Sequence, residues 1–210
     1  DTSLNVVTDE IPVGDRPRGI AVRPDNPATA DVDEATEIYV VNSGDNDVSI
    51  IEVFDGQVRT VVDSVDVGDE PQGIAFSPNG LKAYVTNVDD NTVSVVNTTT
   101  RLEEAVIEVG GSPQFVAVTP DGLFAYVTNN DDDTVTVIDL SANLALGEPI
   151  PVGEGPMGVA VSPDGTRAYV ANFGASDTDD SDENGDTLSI IDTATNTVRD
   201  MNEEEEGVQP

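Results

Sequence analysis

Four segments of this 210-residue chain repeat one succession of short words, and that periodicity constrains the fold more than any other feature. The first word is a Val-Gly-x-x-Pro turn, starting at Val13, Val67, Val109 and Val152 and reaching Pro17, Pro71, Pro113 and Pro156. An apolar alternation follows and runs into proline: Ile20-Ala21-Val22 before Pro24, Ile74-Ala75-Phe76 before Pro78, Val116-Ala117-Val118 before Pro120, and Val159-Ala160-Val161 before Pro163. Three of those prolines open a Pro-Asn/Asp-Gly turn, at Asn79-Gly80, Asp121-Gly122 and Asp164-Gly165. The third word is Tyr-Val-x-Asn, beginning at Tyr39, Tyr84, Tyr126 and Tyr169 and ending at Asn42, Asn87, Asn129 and Asn172. The fourth is a Val/Leu-Ser/Thr-Val/Ile strand at 48–51, 93–96, 135–138 and 188–191. Successive tyrosines stand 45, 42 and 43 residues apart.

Each repeat therefore holds three short period-2 runs bounded by Gly, Pro, Asn and Asp, and then a fourth, more variable run. Four strands in roughly 40 residues is the arithmetic of a β-propeller blade. A helical solenoid needs apolar residues at 3.6-residue spacing, and these segments alternate instead. The expected fold is all-β: a propeller of four-stranded antiparallel blades, with four repeats visible plus an N-terminal orphan strand. One domain of 1–210 is expected, with an outer strand at 4–13 and blades at about 19–71, 73–113, 115–156 and 158–210.

The words Pro-x-Gly-Val-Ala-Val-Ser-Pro-Asp-Gly-x-x-Ala-Tyr-Val-x-Asn, followed by a Thr-Val-Ser-Val-Ile-Asp type of strand, resemble the Tyr-Val-Thr-Asn (YVTN) family of β-propeller repeats. The match is literal at Tyr84-Val85-Thr86-Asn87 and Tyr126-Val127-Thr128-Asn129. This resemblance implies a cell-surface, extracellular or periplasmic propeller, of the kind found in surface-layer proteins and exported proteins. It also implies rings that often close with about seven blades, against the four repeats here.

The ends depart from the repeat. Residues 4–13 match only a fourth strand and its following turn, and Gly207-Val208-Gln209-Pro210 matches the start of an inter-blade turn. The fourth repeat's own outer strand contains Glu203-Glu204-Glu205-Glu206, a poor strand former. One expectation is that the N-terminal strand takes the outer edge of the fourth blade and closes the ring. The alternatives are a longer array, or self-association in which two chains complete one ring. Insertions fall at about 25–35 and 173–186, between strands of opposite direction, so they are expected on opposite faces.

Composition removes chemistry. The chain has no His and no Cys, so Ser-His-Asp triads, thiolate nucleophiles, Cys/His zinc sites and disulfides are excluded. Its 8 Lys+Arg face 42 Asp+Glu, a net charge of −34, which leaves no basic stripe for nucleic acid or for an anionic membrane surface. No apolar run approaches the roughly 20 residues of a membrane span, so no membrane insertion is expected. The acids sit mostly in loops and turns while strand positions stay Val, Ile and Ala. That pattern resembles halophile proteins, in which molar salt screens self-repulsion.

The loops after each Tyr-Val-x-Asn leave on the same face as the Val-Gly-x-x-Pro turns, where propellers commonly bind ligands. They carry Asp45 and Asp47, Asp89 and Asp90, and Asp131, Asp132 and Asp133. An acidic rim is expected there, able to collect cations or to dock a protein or cell-envelope component, a cationic one included. The plain alternative is a solvated acidic surface. Asp180-x-Asp182-x-Asn184-Gly185-Asp186 matches the first half of a calcium loop, with Ca²⁺ or another hard cation as the candidate ligand. Ile191 stands where an EF-hand needs its bidentate Glu, so a full EF-hand is excluded.

The recurring tyrosines are expected between blades, and the recurring asparagines are expected to bond backbone groups at the strand exit. Arg16, Arg18 and Arg23 form the one cationic cluster, expected to neutralise nearby carboxylates. No catalytic residue is assigned. The expected function is a non-catalytic cell-surface or extracytoplasmic structural, interaction or ligand-binding module adapted to high salt. The alternative is an extracytoplasmic propeller hydrolase of lactonase type or a redox-accessory propeller.

Overall fold

The computed structural model describes residues 10–24, 36–54, 57–174 and 187–199. Four antiparallel sheets follow one another along the chain. Blade 1 contains β1 (Pro17–Val22), β2 (Thr36–Asn42), β3 (Asp47–Phe54) and β4 (Gln57–Asp66). Blade 2 contains β5 (Pro71–Phe76), β6 (Lys82–Asn87), β7 (Thr92–Asn97) and β8 (Leu102–Glu108). Blade 3 has β9 (Pro113–Val118), β10 (Phe124–Asn129) and β11 (Thr134–Asp139), and its outer position is shared by β12 (Leu144–Ala145) and β13 (Ile150–Pro151). Blade 4 has β14 (Pro156–Val161), β15 (Arg167–Asn172), β16 (Thr187–Asp192) and β17 (Thr197–Val198).

Local chemistry sets the turns. In the Pro-Asn/Asp-Gly turns, Gly80, Gly122 and Gly165 sit at φ of 67°, 72° and 72°, where a glycine is free of Cβ strain. The preceding Asn79, Asp121 and Asp164 side chains accept the amide two residues on, at 3.1, 3.0 and 3.0 Å. Between the second and third strands, Asn46, Asn91 and Asp133 take the left-handed conformation at φ of 55–57°, which Asn and Asp tolerate better than other non-glycine residues.

The blades stack face to face, so the middle strands are buried on both sides, their Ser and Thr positions included. Tyr39, Val41, Val48 and Ile50 of blade 1 pack on Ala83, Val85, Val96, Ile74 and Phe76 of blade 2. The Tyr39 ring meets Phe76 edge-on, with centroids 5.0 Å apart. Tyr84, Val93 and Val95 meet Val116, Ala125, Val127 and Ile138 in the next seam. Tyr126, Val135 and Val137 meet Ala168, Val170 and Ile191 in the third. The inner strands pack in the order β1, β5, β9, β14, and among the described residues no contact of that extent joins β14 back to β1.

Of the outer strand expected at 4–13, residues 4–9 lie outside the described residues and 10–13 carry no strand. The outer position of blade 4 is held by β17, from its own repeat. The insertion at 25–35, and residues 175–186 of the one expected at 173–186, also lie outside the described residues.

Candidate functional site

The rim is built from two sets of turns. In the Val-Gly-x-x-Pro turns, Arg16, Glu70, Ser112 and Gly155 take left-handed φ of 49°, 49°, 55° and 58°. Gly14 is required at the second position, because a Cβ there would lie 2.6 Å from both the Asn42 Nδ2 and the Asp45 carboxylate. Against these turns come the loops of the acidic words. Asp45, Asp90 and Asp132 each accept a backbone amide of their own blade's turn: Asp15 at 2.6 Å, Asp69 at 2.7 Å and Gly111 at 2.6 Å. Asn46, Asn91 and Asp133 then accept an amide of the following blade's turn: Glu70 at 3.1 Å, Ser112 at 2.8 Å and Gly155 at 2.8 Å. Each loop thus ties its own turn to the next, and carboxylate acceptors make the stronger of these bonds.

Asp47 accepts a bond from Asn42 Nδ2 at 2.7 Å. Asp89 and Asp131 are exposed, and among the described residues their side chains make no hydrogen bond. The rim residues therefore separate into loop-holding acids and two acids facing solvent alone. Among the described residues no group of three or more acids is placed to hold a metal ion. The calcium-type segment with Asp180, Asp182, Asn184 and Asp186 lies outside the described residues.

The recurring asparagines behave differently from expectation. Their amides donate to side-chain oxygens of the third strand rather than to backbone groups. Asn87 Nδ2 donates to Thr92 Oγ1 at 2.9 Å and Ser94 Oγ at 2.8 Å, and Asn129 reaches Thr134 and Thr136 at 2.9 Å each. Asn42 and Asn172 repeat this with Ser49 at 2.8 Å and Ser189 at 2.9 Å. The reason is register: the Asn pairs with the first residue of the third strand, so that residue and the one two positions on are nearest to its amide. The Oδ1 atom of all four is buried without a protein partner.

Tyr39, Tyr84 and Tyr126 are buried between blades, and Tyr126 donates its hydroxyl to Asn196 of blade 4 at 2.8 Å. Burial pushes the Tyr84 and Tyr126 phenols up to about 12, with Glu104 and Asp192 adding to it respectively, and pushes Tyr39 higher still. The threonine of the Tyr-Val-Thr-Asn word also has a seam role. Thr86 and Thr128 donate to the Gln114 and Met157 carbonyls on the next inner strand, at 2.9 and 2.7 Å. At the inner ends, Gln72 Nε2 donates to Gln114 Oε1 at 2.6 Å, while Arg18 at the matching place in β1 is exposed.

The carboxylates with resolved shifts all move down, and each sits in a pairing or capping role. Lys82, 2.6 Å away, holds Glu104 below its ordinary value. Hydroxyl and backbone donors do the same for Asp121 and Asp139, and Ser162 with Thr166 brings Asp164 to about 2.

Sequence reasoning missed the strongest charged cluster. Glu37 and Glu52 are direct cross-strand partners in blade 1, a repulsive pair in isolation. Arg101, from the outer hairpin of blade 2, donates to both, at 2.7 and 2.6 Å. Burial opposes the Arg101 charge, yet the bonds to Glu37 and Glu52 outweigh it and raise its pKa. Arg23 adds a 2.8 Å pair to Glu37 and donates to the Gly80 carbonyl of blade 2 at 2.8 Å. Arg16 reaches Glu70 of blade 2 at 3.5 Å, so two of the three clustered arginines meet carboxylates. The available signal was positional: Arg101 stands where Asn143 and Asn196 stand in the next two repeats, all three at left-handed φ.

Four four-stranded antiparallel units stacked in this way are propeller blades, and the chain is an all-β protein of the β-propeller class. It is similar to hydrazine synthase from Kuenenia stuttgartiensis, with a TM-score of 0.74 at 24% identity over 90% of this chain and 50% of that one. It is also similar to a functionally unknown protein from Desulfotomaculum acetoxidans, with a TM-score of 0.68 at 18% identity over 90% of this chain and 58% of the other. A proposed 6-phosphogluconolactonase from Bacteroides uniformis matches with a TM-score of 0.60 at 16% identity, over 78% of this chain and 52% of that one. The chain spans about half the length of these structures, and at such identities the likeness is one of fold. No family model and no curated protein matches it.

Proposed function

We propose that this chain is a non-catalytic, extracytoplasmic propeller module of the Tyr-Val-Thr-Asn repeat type, adapted to high salt, and that the rim is its interaction surface. One observation carries the reading. Asp45, Asp90, Asp132 and Asp133 are engaged in holding turn amides, which fixes a shaped surface, while Asp89 and Asp131 stand free in front of it. The repeat's other shared side chains are occupied as well: Tyr39, Tyr84 and Tyr126 in blade packing and the four asparagines in hairpin locking. At molar salt the Debye length shrinks to about 3 Å, so such a surface acts on a cell-envelope partner at contact range rather than by long-range steering.

The test is co-sedimentation with cell-envelope fragments in molar KCl, run beside a hydrolysis screen on lactones and glycosides. Retention that Asp89→Lys/Asp131→Lys abolishes supports the reading, since neither residue holds the fold. Equal retention of the variant, no retention at all, or substrate turnover overturns it.

A further inference from the structure

The hairpin between β7 and β8 of blade 2 carries Asn97-Thr98-Thr99, the sequence's one Asn-x-Ser/Thr triplet, with a residue other than proline in the middle. That is the pattern an N-linked glycan acceptor requires, and it belongs on a surface loop. Strand β7 starts at the rim, where Thr92 pairs with Asn87, and ends on Asn97, so the triplet stands at the opposite end of the blade.

The fold uses only the oxygen of this asparagine fully. The third strands of blades 3 and 4 end on Asp139 and Asp192, whose carboxylates each accept two amides of the turn that follows. Asn97 Oδ1 does the same, accepting the Thr99 and Thr100 amides at 3.0 Å each. The turn therefore asks for an acceptor oxygen, which an aspartate supplies elsewhere, and it does not account for the amide nitrogen. Among the described residues Asn97 Nδ2 makes one hydrogen bond, to the exposed Glu104 Oε2 at 3.1 Å. A side-chain amide has two protons to donate, so one is left over. The buried Asn42, Asn87, Asn129 and Asn172 differ, since each gives both protons to side chains of the third strand.

The other two residues of the triplet divide in the way an acceptor needs. Thr98 is 2% exposed and turned inward, its hydroxyl donating to the Gly80 carbonyl at 2.7 Å and its amide to that of Leu81 at 3.1 Å. Thr99 is exposed, and among the described residues its hydroxyl makes no hydrogen bond. The hairpin is also held in place, because Arg101 at its far end donates to Glu37 and Glu52 of blade 1. A rigid turn thus offers solvent the amide nitrogen and the hydroxyl of the acceptor pattern together.

We propose that Asn97 is an N-glycosylation site, its donor a glycan carried on a lipid phosphate and transferred by a glycosyltransferase. The bond from the anomeric carbon to Nδ2 forms as the bond from that carbon to the phosphate oxygen breaks. The phosphate leaves with the lipid, the unshared amide proton passes to the transferase, and nothing is oxidised or reduced. The remaining N–H still donates to Glu104 and Oδ1 still caps the turn, so the modified side chain keeps the contacts it makes now. A glycan here leaves the rim clear for its partner. The inference rests on the extracytoplasmic reading, because acceptors of this kind belong to secreted chains.

Peptide mass spectrometry of the chain recovered from its own cells tests it, with cytosolic and extracytoplasmic fractions kept apart. The peptide holding residues 97–99 is expected to carry whole sugar residues on Asn97. Asn97→Asp, which keeps the capping oxygen that blades 3 and 4 use, and Thr99→Ala are each expected to abolish the added mass while leaving the circular dichroism spectrum unchanged. Thr99→Ser is expected to retain it. Unmodified Asn97 in chain from the extracytoplasmic fraction overturns the proposal and leaves the location standing, whereas unmodified chain found in the cytosol alone overturns both. Sugar that persists in Asn97→Asp or Thr99→Ala also overturns the proposal.

Discussion

Replacing Arg101 by Met tests the seam between blades 1 and 2. The guanidinium donates to Glu37 and Glu52 at 2.7 and 2.6 Å and lies 3.6 Å from Asp63. The Glu37 side chain is only 7% exposed, so removing its partner strands a carboxylate that water hardly reaches. Breaking a buried pair from one side costs roughly 3–5 kcal/mol. Arg23 still touches Glu37 at 2.8 Å, and both Arg101 and Glu52 are a quarter exposed, so about 2–3 kcal/mol is expected here. For a domain of this size that lowers Tm by about 4–12 °C. Methionine keeps the aliphatic stem and suffers the same left-handed backbone, so the loss reports the charge. The assay is urea and thermal denaturation in molar KCl of the parent chain, Arg101→Met, Glu37→Gln and the double variant. The cycle is expected to show about 1–2 kcal/mol of coupling, because the double variant removes the stranded charge together with its partner. A single-variant cost under about 0.5 kcal/mol, or strict additivity, would refute the argument that a buried ion cluster holds this seam.

Three further outcomes follow from the seams and the charge. Thermal stability is expected to rise steeply from low to molar KCl, and a flat curve contradicts the salt-adaptation reading. Tyr84 and Tyr126 have folded pKa values near 12 against an ordinary 10.0, so the stability they carry is intact below pH 10 and is lost as pH rises through about 12. Ultraviolet titration of the phenolates, followed with circular dichroism, checks that window, and ionisation of both groups near pH 10 without unfolding goes against it. Gly19→Ala is expected to cost about 1–3 kcal/mol, since its Cβ meets backbone at 2.4 Å, while Gly158→Ala leaves the melting temperature in place.

The blade was legible in the sequence because its determinants are local. Period-2 runs, Asn/Asp-Gly turns and the Val-Gly-x-x-Pro spacing each act within a few residues, and they repeat four times. The rim's location followed from strand alternation alone. What the acids do there was not legible, because an aspartate accepting a turn amide and one facing solvent are the same letter. Asp90 and Asp89 are adjacent, and only the first reaches Asp69 N. The asparagine's hydroxyl partners depended on register across the hairpin. The Arg101 cluster depended on stacking between sheets, joining residues 49 and 64 positions apart.

That cluster changes how the −34 charge is read. A chain with 8 cations among 42 acids has few to place, and the described ones concentrate where blades meet. Arg16, Arg23 and Arg101 all cross the seam between blades 1 and 2. Lys82 stays within blade 2 on Glu104. Arg167 and Arg199 sit on the face that no described blade covers. Exposed pairs contribute little to stability, and molar salt reduces that further. Cations are therefore most effective where stacking excludes water, which is where an acidic chain must bring its own sheets together. On that reasoning the two arginines of blade 4 occupy the positions from which blade 1 meets its neighbour, and reversing their charge is expected to leave the blades themselves folded.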